Sequence, residues 1–396
     1  MKDYKRLETE LSSLAVFRNL IHESALRKFM TMLHSLSGDL EKSVSAYADF
    51  AAALYEQGGN WSEYLLNAAL EDENVYMVRL AERGSVEPEI SDSLMRELFI
   101  LQRAGAVTSG ELQKEIGYAG PLPVWSVSPV DFIREYETRV NAVSRHGYGV
   151  YAKYHTFVLK DGEISPVRHP DDIKISDLSG YEEERKAVLD NTLALIGGKP
   201  AANILLYGDA GTGKSSTVKA VCNYCHDKGL RLIELKKSDL RHIPDLIDTL
   251  SKNPLKFILF IDDLSFTKDD NDFSALKAVL EGSVAAKTGN IAIYATSNRR
   301  HLVKETFSDR EGDEVHRGDT MQELVSLSER FGLTITFVRP GKKQFLSIVQ
   351  ALAAQYGIPG DPEALAAKAD AYALRRSGYS PRVAKQFIES LKAMQD

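Results

Sequence analysis

Eight consecutive residues, from Gly208 to Ser215, constrain the fold of this chain more than any other segment. They read Gly-Asp-Ala-Gly-Thr-Gly-Lys-Ser and fit the spacing G-x-x-x-x-G-K-[ST]. An apolar run at Ile204–Tyr207 precedes them, and a helical pattern over Ser215–Asp227 follows. A glycine-rich loop between a buried strand and a helix is the setting in which backbone wraps around phosphate groups. The segment therefore predicts a strand–loop–helix unit within an α/β fold.

The chemistry of this loop indicates a nucleotide and a divalent cation. Glycines let successive backbone N–H groups point at phosphate oxygens, and the helix N-terminus adds partial positive charge. Lys214 is expected to reach the β- and γ-phosphates, and the Ser215 hydroxyl is expected to ligate Mg²⁺. ATP and Mg²⁺ are therefore the predicted cofactors. The residues of this segment predicted to bind them are Gly208, Asp209, Ala210, Gly211, Thr212, Gly213, Lys214, Ser215 and Ser216.

A second apolar run ends in two carboxylates. Phe257–Ile261 is typical of a fully buried strand, and Asp262 and Asp263 follow it directly. An acid at this strand end lies beside the metal of a phosphate-binding loop, so Asp262 is predicted to hold Mg²⁺ together with Ser215. Asp263 is predicted to orient or deprotonate the attacking water. The alternative is that the two aspartates cap the next helix.

From about residue 171 the apolar pattern alternates between short strands and helices. Buried strands separated by helices form a parallel sheet with helices on both faces. The five predicted strands are Ala202–Tyr207, Leu230–Leu235, Phe257–Ile261, Ile291–Ala295 and Leu333–Phe337. Three helices, at about 342–356, 362–376 and 380–394, end the chain. The predicted fold class is therefore α/β, with a five-stranded parallel sheet and a C-terminal helical lid.

The first part of the chain has a helical period, and a change of period follows it. A strand over Val150–Leu159, the turn Asp161-Gly162 and a return at Glu163–Val167 predict a β-hairpin. This hairpin either links two parts of the protein or forms the leading edge of the second. The predicted organisation is an all-helical partner-binding domain at 1–149, a hairpin linker at 150–170, an α/β core at 171–338 and a lid at 339–396.

Charge separates the two parts of the chain. The formal net charge is −7, from 49 basic and 56 acidic residues. Residues 1–150 hold 15 basic and 22 acidic side chains, whereas residues 151–396 hold 34 of each. The acidic first part favours a protein partner, one with a basic face, over nucleic acid. The neutral second part leaves nucleic acid open, although charge does not indicate it.

Composition narrows the class of protein further. Hydrophobic residues make up 43% and charged residues 27%, as in ordinary globular domains. No apolar run reaches the roughly 18–20 residues that span a membrane, and the first residues lack the pattern of a signal peptide. We therefore expect a cytoplasmic protein without membrane contact. Cys222 and Cys225, the only two cysteines, are predicted to pack in the core, because no second ligand pair at zinc spacing accompanies them.

In the order and spacing of these motifs, residues 171–396 resemble the AAA+ ATPases, and they look like a bacterial AAA+ family catalogued only as a domain of unknown function. The resemblance implies further site residues. Gly180 and Tyr181 would lie near adenine, and Asn298 would be sensor 1. Arg330 would be an arginine finger that reaches a neighbouring subunit, and Arg382 would be sensor 2 on the lid. An arginine finger implies self-association into a ring or an open oligomer.

These residues have plainer alternatives, and two features depart from common AAA+ patterns. Asn298 could cap a turn, Arg330 could pair with Glu329, and Arg382 could be solvated. Asp263 stands where many members have Glu, so hydrolysis could be slow or the water held differently; replication-initiator-like members are similar in carrying two aspartates. Residues 236–242 hold neither the aromatic residue nor the glycine of a pore loop, so threading of a polypeptide is not expected.

The leading hypothesis is an ATP-hydrolysing AAA+ molecular switch that remodels or loads a protein partner without threading it. The alternative is a nucleic-acid-associated loader or initiator-like ATPase, which the Asp262-Asp263 pair and the basic triplet Arg299-Arg300-His301 favour. A third hypothesis, a non-hydrolysing scaffold gated by ATP, rests on Asp263 alone. Residues 307–320, rich in charge and glycine, are predicted to form a mobile insertion.

Overall fold

A computed structural model describes residues 3–22, 24–264, 276, 279–280, 289–298, 330–376 and 378–394. The chain divides into two compact units, Met1–Lys153 and Tyr154–Asp396.

The first unit is built from helices of widely different length. Its elements are α1 (Tyr4–Ser12), a 3-10 helix (Arg18–His22), α2 (Ser24–Ser35), α3 (Leu40–Tyr55), α4 (Trp61–Glu71), α5 (Val75–Arg83), α6 (Pro88–Gly105), α7 (Ser109–Ile116), α8 (Phe132–Asn141), α9 (Val143–His146) and α10 (Val150–Lys153).

Local sequence signals explain where these helices begin and end. The side chains of Asn60, Asn74 and Thr108 accept hydrogen bonds from the backbone N–H groups three residues later, which satisfies amides that a helix start leaves unpaired. At the other end, Gly84 closes α5 with a φ of 71°, a left-handed conformation that glycine adopts without steric penalty.

The core of the first unit is aromatic. Phe29 lies 4.7 Å from Trp61 and 5.2 Å from Phe50, between ring centroids. Trp125 meets the edge of Phe50 at 5.0 Å. All four rings are buried, so this cluster joins α2, α3 and α4 to the segment that precedes α8.

The described residues of the second unit form one mixed sheet of seven strands. They are β1 (Thr156–Lys160), β2 (Glu163–Pro166), β3 (Ile204–Gly208), β4 (Leu230–Leu235), β5 (Lys256–Ile261), β6 (Ile291–Asn298) and β7 (Leu333–Phe337). Their order across the sheet is β2-β1-β4-β5-β6-β3-β7. Strands β1 and β2 are antiparallel, and every other neighbouring pair is parallel.

The prediction of a five-stranded sheet is therefore wrong, although each of the five predicted strands is present. The predicted hairpin supplies the two additional strands, because β1 pairs with β4. Phe157 and Leu159 of β1 are buried. The hairpin also begins later than the predicted Val150. Residues Val150–Lys153 form the short helix α10, which follows Gly149.

The α-helices described in the second unit flank the sheet and form the lid. They are α11 (Glu182–Ile196), α12 (Lys214–Cys225), α13 (Ile243–Ser251), α14 (Lys342–Tyr356), α15 (Pro362–Leu374) and α16 (Pro381–Lys392). The last three share a core of their own around Phe345, Leu352 and Phe387. Among the described residues, the helices are too short or too polar to cross a membrane.

The register of the parallel strands fixes where functional residues gather. Gly208 at the end of β3 pairs with Asn298 on β6 and with Phe337 on β7. Ile261 at the end of β5 pairs with Ala295. The residues that follow β3 and β5 therefore meet the end of β6 at one edge of the sheet, where ligands bind in open α/β folds.

Candidate nucleotide site

The loop between β3 and α12 has the backbone conformation that its glycines permit. Gly208 has a φ of 147°, and a Cβ atom there would stand 2.0 Å from the Phe337 carbonyl oxygen, so only glycine fits. Gly213, with a φ of 95°, is the N-cap of α12. Ala210 is exposed between these positions, whereas Thr212 is buried and its Oγ1 donates to the Asp209 carbonyl at 2.9 Å.

Lys214 is a buried cation at the first position of α12. Its Nζ donates to the carbonyls of Gly208 (3.1 Å) and Asp209 (2.8 Å), and to Oδ1 of Asn298 (2.9 Å). Burial lowers the pKa of Lys214, while the nearby carboxylate of Asp209 acts in the opposite direction. The ammonium group is therefore held by neutral acceptors, which a phosphate oxygen could replace as a stronger, charged partner.

Ser215 and Asp262 bring a hydroxyl and a carboxylate together beside the loop. Ser215 Oγ donates to Asp262 Oδ1 at 2.6 Å, and Thr296 Oγ1 donates to the same oxygen at 2.6 Å. A hydroxyl and a carboxylate are a suitable partial ligand set for Mg²⁺, which binds one or two protein carboxylates and completes its shell with phosphates and water. The described residues contain no group of three or more His, Cys, Asp or Glu side chains placed to hold a metal ion.

Asn298 connects Lys214 to the second carboxylate. Its Nδ2 donates to Asp263 Oδ1 at 2.7 Å, while its Oδ1 accepts from Lys214. Asp263 has a φ of 52°, a left-handed conformation that is strained for most residues other than glycine but tolerated by Asp and Asn. Its backbone N–H donates to Thr296 Oγ1 at 2.9 Å, which holds the strained residue in place.

A cavity of about 640 Å³ adjoins the loop. Its walls come from residues between Asp171 and Tyr181, from Gly211 to Gly213 with Ser216, and from lid residues that include Ile348 and Arg382. This volume lies in the range of small-molecule sites. The cavity therefore joins the phosphate-binding loop to a partly apolar pocket under the lid.

The two residues expected near adenine occupy different positions. Tyr181 lines the cavity, stacks on Phe337 with centroids 5.3 Å apart, and donates its hydroxyl to the Val338 carbonyl at 2.7 Å. Burial, with Glu184 and Asp209 nearby, raises its pKa to about 12, so the phenol is a neutral donor at physiological pH. Gly180 lies against the lid residue Ile348, and an added Cβ there would stand 2.9 Å from Ile348 Cδ1.

The two predicted arginines lie in different places. The Arg382 backbone N–H donates to the Gly211 carbonyl at 3.2 Å, and its side chain lines the cavity. Arg330 precedes β7, whose last residue pairs with Gly208, so it lies at the opposite edge of the sheet, roughly a strand length of 15 Å away. Its own chain's loop is out of its reach. Glu329, the basic triplet Arg299-Arg300-His301 and the predicted insertion at 307–320 lie outside the described residues.

Sequence reasoning missed three contributors to this site. Thr296 positions both Asp262 and Asp263, yet nothing but its place two residues before Asn298 sets it apart. Arg185 is buried and its guanidinium bonds the Gly180 carbonyl and Glu182. Ile348 lines the cavity from α14; the sequence pattern predicts this helix but not which of its side chains face the cavity.

Cys222 and Cys225 lie in the core of the second unit. Both are free thiols and are buried on α12, among side chains that include Val221 and Leu232. Burial raises the pKa of both thiols. They are therefore neutral packing residues rather than reactive thiolates.

A phosphate-binding loop between β3 and α12, two carboxylates after β5, an amide at the end of β6 and a helical lid define a P-loop ATPase of the AAA+ class. The chain belongs to the family described as "Protein of unknown function (DUF815)", whose model matches residues 152–395.

Two curated relatives match parts of the chain. A proteasome-activating nucleotidase 1 of Haloferax volcanii is 27% identical over 165 residues, covering 34% of this chain and 40% of that protein. A replication factor C large subunit of Staphylothermus marinus is 32% identical over 120 residues, covering 27% of each chain. The chain thus spans less than half of the length of either relative.

Solved structures of the Thermotoga maritima RuvB Holliday junction branch migration motor are also similar. One is 16% identical with a TM-score of 0.38, covering 56% of this chain and 65% of RuvB.

Proposed function

We propose that this protein is an ATP-hydrolysing AAA+ molecular switch that acts on a protein partner without threading it. The observation that carries the proposal is the hydrogen-bonded series Lys214–Asn298–Asp263, which places a cation, an amide and a carboxylate at one strand edge. The paired oxygens of Ser215 and Asp262 lie beside it. Phosphoryl transfer to water needs this combination of positioning and charge stabilisation.

Each residue has a defined role in this proposal. Lys214 and the loop amides bind the phosphates, and Ser215 with Asp262 would hold Mg²⁺. A bound Mg²⁺ would neutralise charge on the phosphates. Asp263 orients the attacking water or accepts its proton, and Asn298 holds Asp263 and the water in position. Arg382 enters the cavity from the lid and responds to the phosphate end of the nucleotide.

Self-association would complete the site. Arg330 lies at the sheet edge opposite its own loop, so it can contribute to hydrolysis only in a neighbouring subunit. Arginine fingers supplied between chains raise phosphoryl-transfer rates by about 10³–10⁵. We therefore expect the rate per subunit to rise with protein concentration, and Arg330→Ala to remove that rise while ATP binding persists. An Arg330→Ala protein that hydrolyses ATP at the wild-type rate would exclude this role.

The segment after β4 supports a mechanism without threading. Residues Lys237–His242 form a 3-10 helix whose Leu240 is fully buried. Asp239 accepts a hydrogen bond from the Lys236 N–H at 2.9 Å. Residues 236–242 include no Phe, Tyr or Trp, so the segment has no such aromatic side chain with which to grip a polypeptide. The acidic first unit is the proposed binding region for a protein client with a basic face.

Phosphate release from Mg²⁺-ATP by the full chain tests this function. Asp263→Asn keeps the shape, the left-handed backbone preference and an oxygen for Asn298, but it removes the base. We expect it to bind ATP with near wild-type affinity. We expect it to release phosphate at about one hundredth of the wild-type rate or below. Equal, measurable rates for Asp263→Asn and the wild type would exclude Asp263 as the base. A wild type that releases no phosphate would leave only nucleotide binding.

The match to a replication factor C large subunit favours a nucleic-acid-associated loader as the second candidate. ATP-dependent retention of DNA that falls steeply with added salt would support it. Absence of retention at low salt would favour the protein-directed switch.

A further inference from the structure

Asp209, the second residue of the phosphate-binding loop, bonds the strand that leads to the lid rather than facing the cavity. Its backbone N–H donates to the Phe337 carbonyl at 3.1 Å. Its Oδ2 accepts from the Arg339 backbone N–H at 3.0 Å. The carboxylate therefore takes the place of the next strand carbonyl and extends the β3–β7 pairing by one step beyond Gly208.

The backbone that Asp209 holds is the connection between core and lid. Residues 338–341 separate the end of β7 from the start of α14. Val338 in this connection also accepts the Tyr181 hydroxyl at 2.7 Å. The connection is thus held by Asp209 on the phosphate side and by Tyr181 on the side of the cavity. The lid's last helix is held by the loop as well, through the Arg382 N–H and the Gly211 carbonyl.

Asp209 also contacts the residue that would bind phosphate. Its carbonyl oxygen accepts from Lys214 Nζ at 2.8 Å and from Thr212 Oγ1 at 2.9 Å. A phosphate group that draws the Lys214 ammonium towards itself would compete with this carbonyl. Occupancy of the loop would therefore alter the bonds of the same residue that fixes the connection to the lid.

We propose that Asp209 is a positioning residue that couples nucleotide binding in the loop to the angle of the lid, through its carboxylate bond to the Arg339 backbone. The inference rests on the proposed function for the use of this coupling in a switch. The coupling itself needs only that the loop binds a nucleotide. Asp209 needs no contact with the nucleotide in this role. It acts by keeping the lid residues Ile348 and Arg382 over the cavity.

The test compares Asp209→Ala, Asp209→Asn and the wild-type full chain. Alanine removes the acceptor, whereas asparagine keeps an oxygen in the same place. Hydrogen exchange by mass spectrometry on peptides covering 337–341 reports the Arg339 amide, and equilibrium titration with Mg²⁺-ATP reports affinity. Asp190→Ala, at an exposed aspartate on α11, is the matched control and should leave both measurements unchanged.

We expect the Arg339 amide of Asp209→Ala to exchange about tenfold faster, as loss of one hydrogen bond to a charged acceptor implies. ATP binding should be about fivefold weaker. Asparagine should restore most of both losses. The inference is overturned if alanine leaves the exchange of residues 337–341 unchanged, or if asparagine and alanine are equally defective. Phosphate release is not a readout, so a wild-type protein that binds but does not hydrolyse ATP would reject the proposed function and leave this test intact.

Discussion

The two units of the chain use left-handed backbone differently. In the described part of the first unit, every residue with a φ in that region is a glycine. In the described part of the second unit, Asp161, Tyr181 and Asp263 also adopt it. Asp161 lies in the tight turn between β1 and β2, where aspartate is common. Tyr181 and Asp263 border the nucleotide site, and strained residues of this kind persist where the surrounding structure holds them for function.

The two units also differ in how each holds a buried charged side chain. Glu97 of the first unit accepts hydrogen bonds from the backbone N–H groups of Ala15 (3.0 Å), Val16 (3.1 Å) and Phe17 (3.0 Å). Among the described residues, the acceptors that Lys214 of the second unit bonds are neutral, and burial lowers its pKa. The Glu97 carboxylate stabilises its own unit through these bonds, whereas we expect the Lys214 ammonium to find its anionic partner in a bound phosphate. Variants at the two positions should therefore separate stability from function.

Lys214→Met should have the largest effect on function and little on stability. We expect ATP affinity and phosphate release to fall by about 100-fold or more, because a positioned charge on the phosphates is lost. The pKa of Lys214 is lower in the folded protein than in the unfolded chain. Below the folded pKa the buried charge therefore reduces the free energy of unfolding, and this loss is recovered only as pH rises towards 10.5. Methionine removes it at neutral pH.

Hydrogen exchange of β3 and β5 without nucleotide measures the stability of this unit, and ATP titration measures binding. We expect protection to be equal or higher in Lys214→Met. A loss of protection would show that the lysine stabilises the fold, and the contrast with Glu97 would then disappear.

Glu97→Ala should have the largest effect on stability. It leaves three backbone N–H groups without their acceptor, which we expect to reduce the free energy of unfolding of the first unit by about 3 kcal/mol. Both tryptophans of the chain, Trp61 and Trp125, lie in this unit and are buried, so their fluorescence during denaturant unfolding follows it alone. Glu137→Ala, on the exposed face of α8, is the control. Equal midpoints for the two variants would contradict the role of Glu97.

The phosphate end of the site could be predicted from sequence, because its chemistry dictates residue types at fixed spacing. The loop from Gly208 to Ser215 and the carboxylates after β5 are contiguous segments, and the structure places Ser215 2.6 Å from Asp262. Asn298 follows from the same logic, since the ends of parallel strands meet at one edge of the sheet.

The rest could not be predicted, because apolar contacts and edge pairing leave weak signals in sequence. Ile348 is one of many apolar residues on α14, and any similar side chain would cover the cavity. The hairpin is predicted, with the leading edge of the second part as one of its two possible positions. The choice between them depends on β1 meeting β4, where Thr156 pairs with Leu232. Thr296 could not be separated from other β-branched residues of a buried strand.

A smaller effect should distinguish two glycines of the first unit. Gly84 has a φ of 71° and Gly110 lies within α7, and a Cβ would meet nothing within 4 Å at either position. Gly84→Ala should destabilise by about 1 kcal/mol, because alanine is strained in the left-handed region. Gly110→Ala should stabilise by about 0.5–1 kcal/mol through helix propensity. Tryptophan fluorescence follows both, and shifts of the same sign would refute the explanation.

The smallest expected effect is a loss of stability at acidic pH near β1 of the second unit. His155, just before β1, lies 4.6 Å from His226 between ring centroids. Burial lowers the pKa of His155, with His226 and Arg231 adding to the effect and Asp227 opposing it. Because the folded pKa lies below 6.5, stability from the neutral ring is complete above pH 6.5 and is lost as pH falls through the folded pKa.

Hydrogen exchange of β1 and β4 should therefore accelerate between pH 7 and pH 5, after correction for the intrinsic pH dependence of exchange. His155→Gln should flatten that change, and an unaltered pH dependence in the variant would assign the acid sensitivity to other groups.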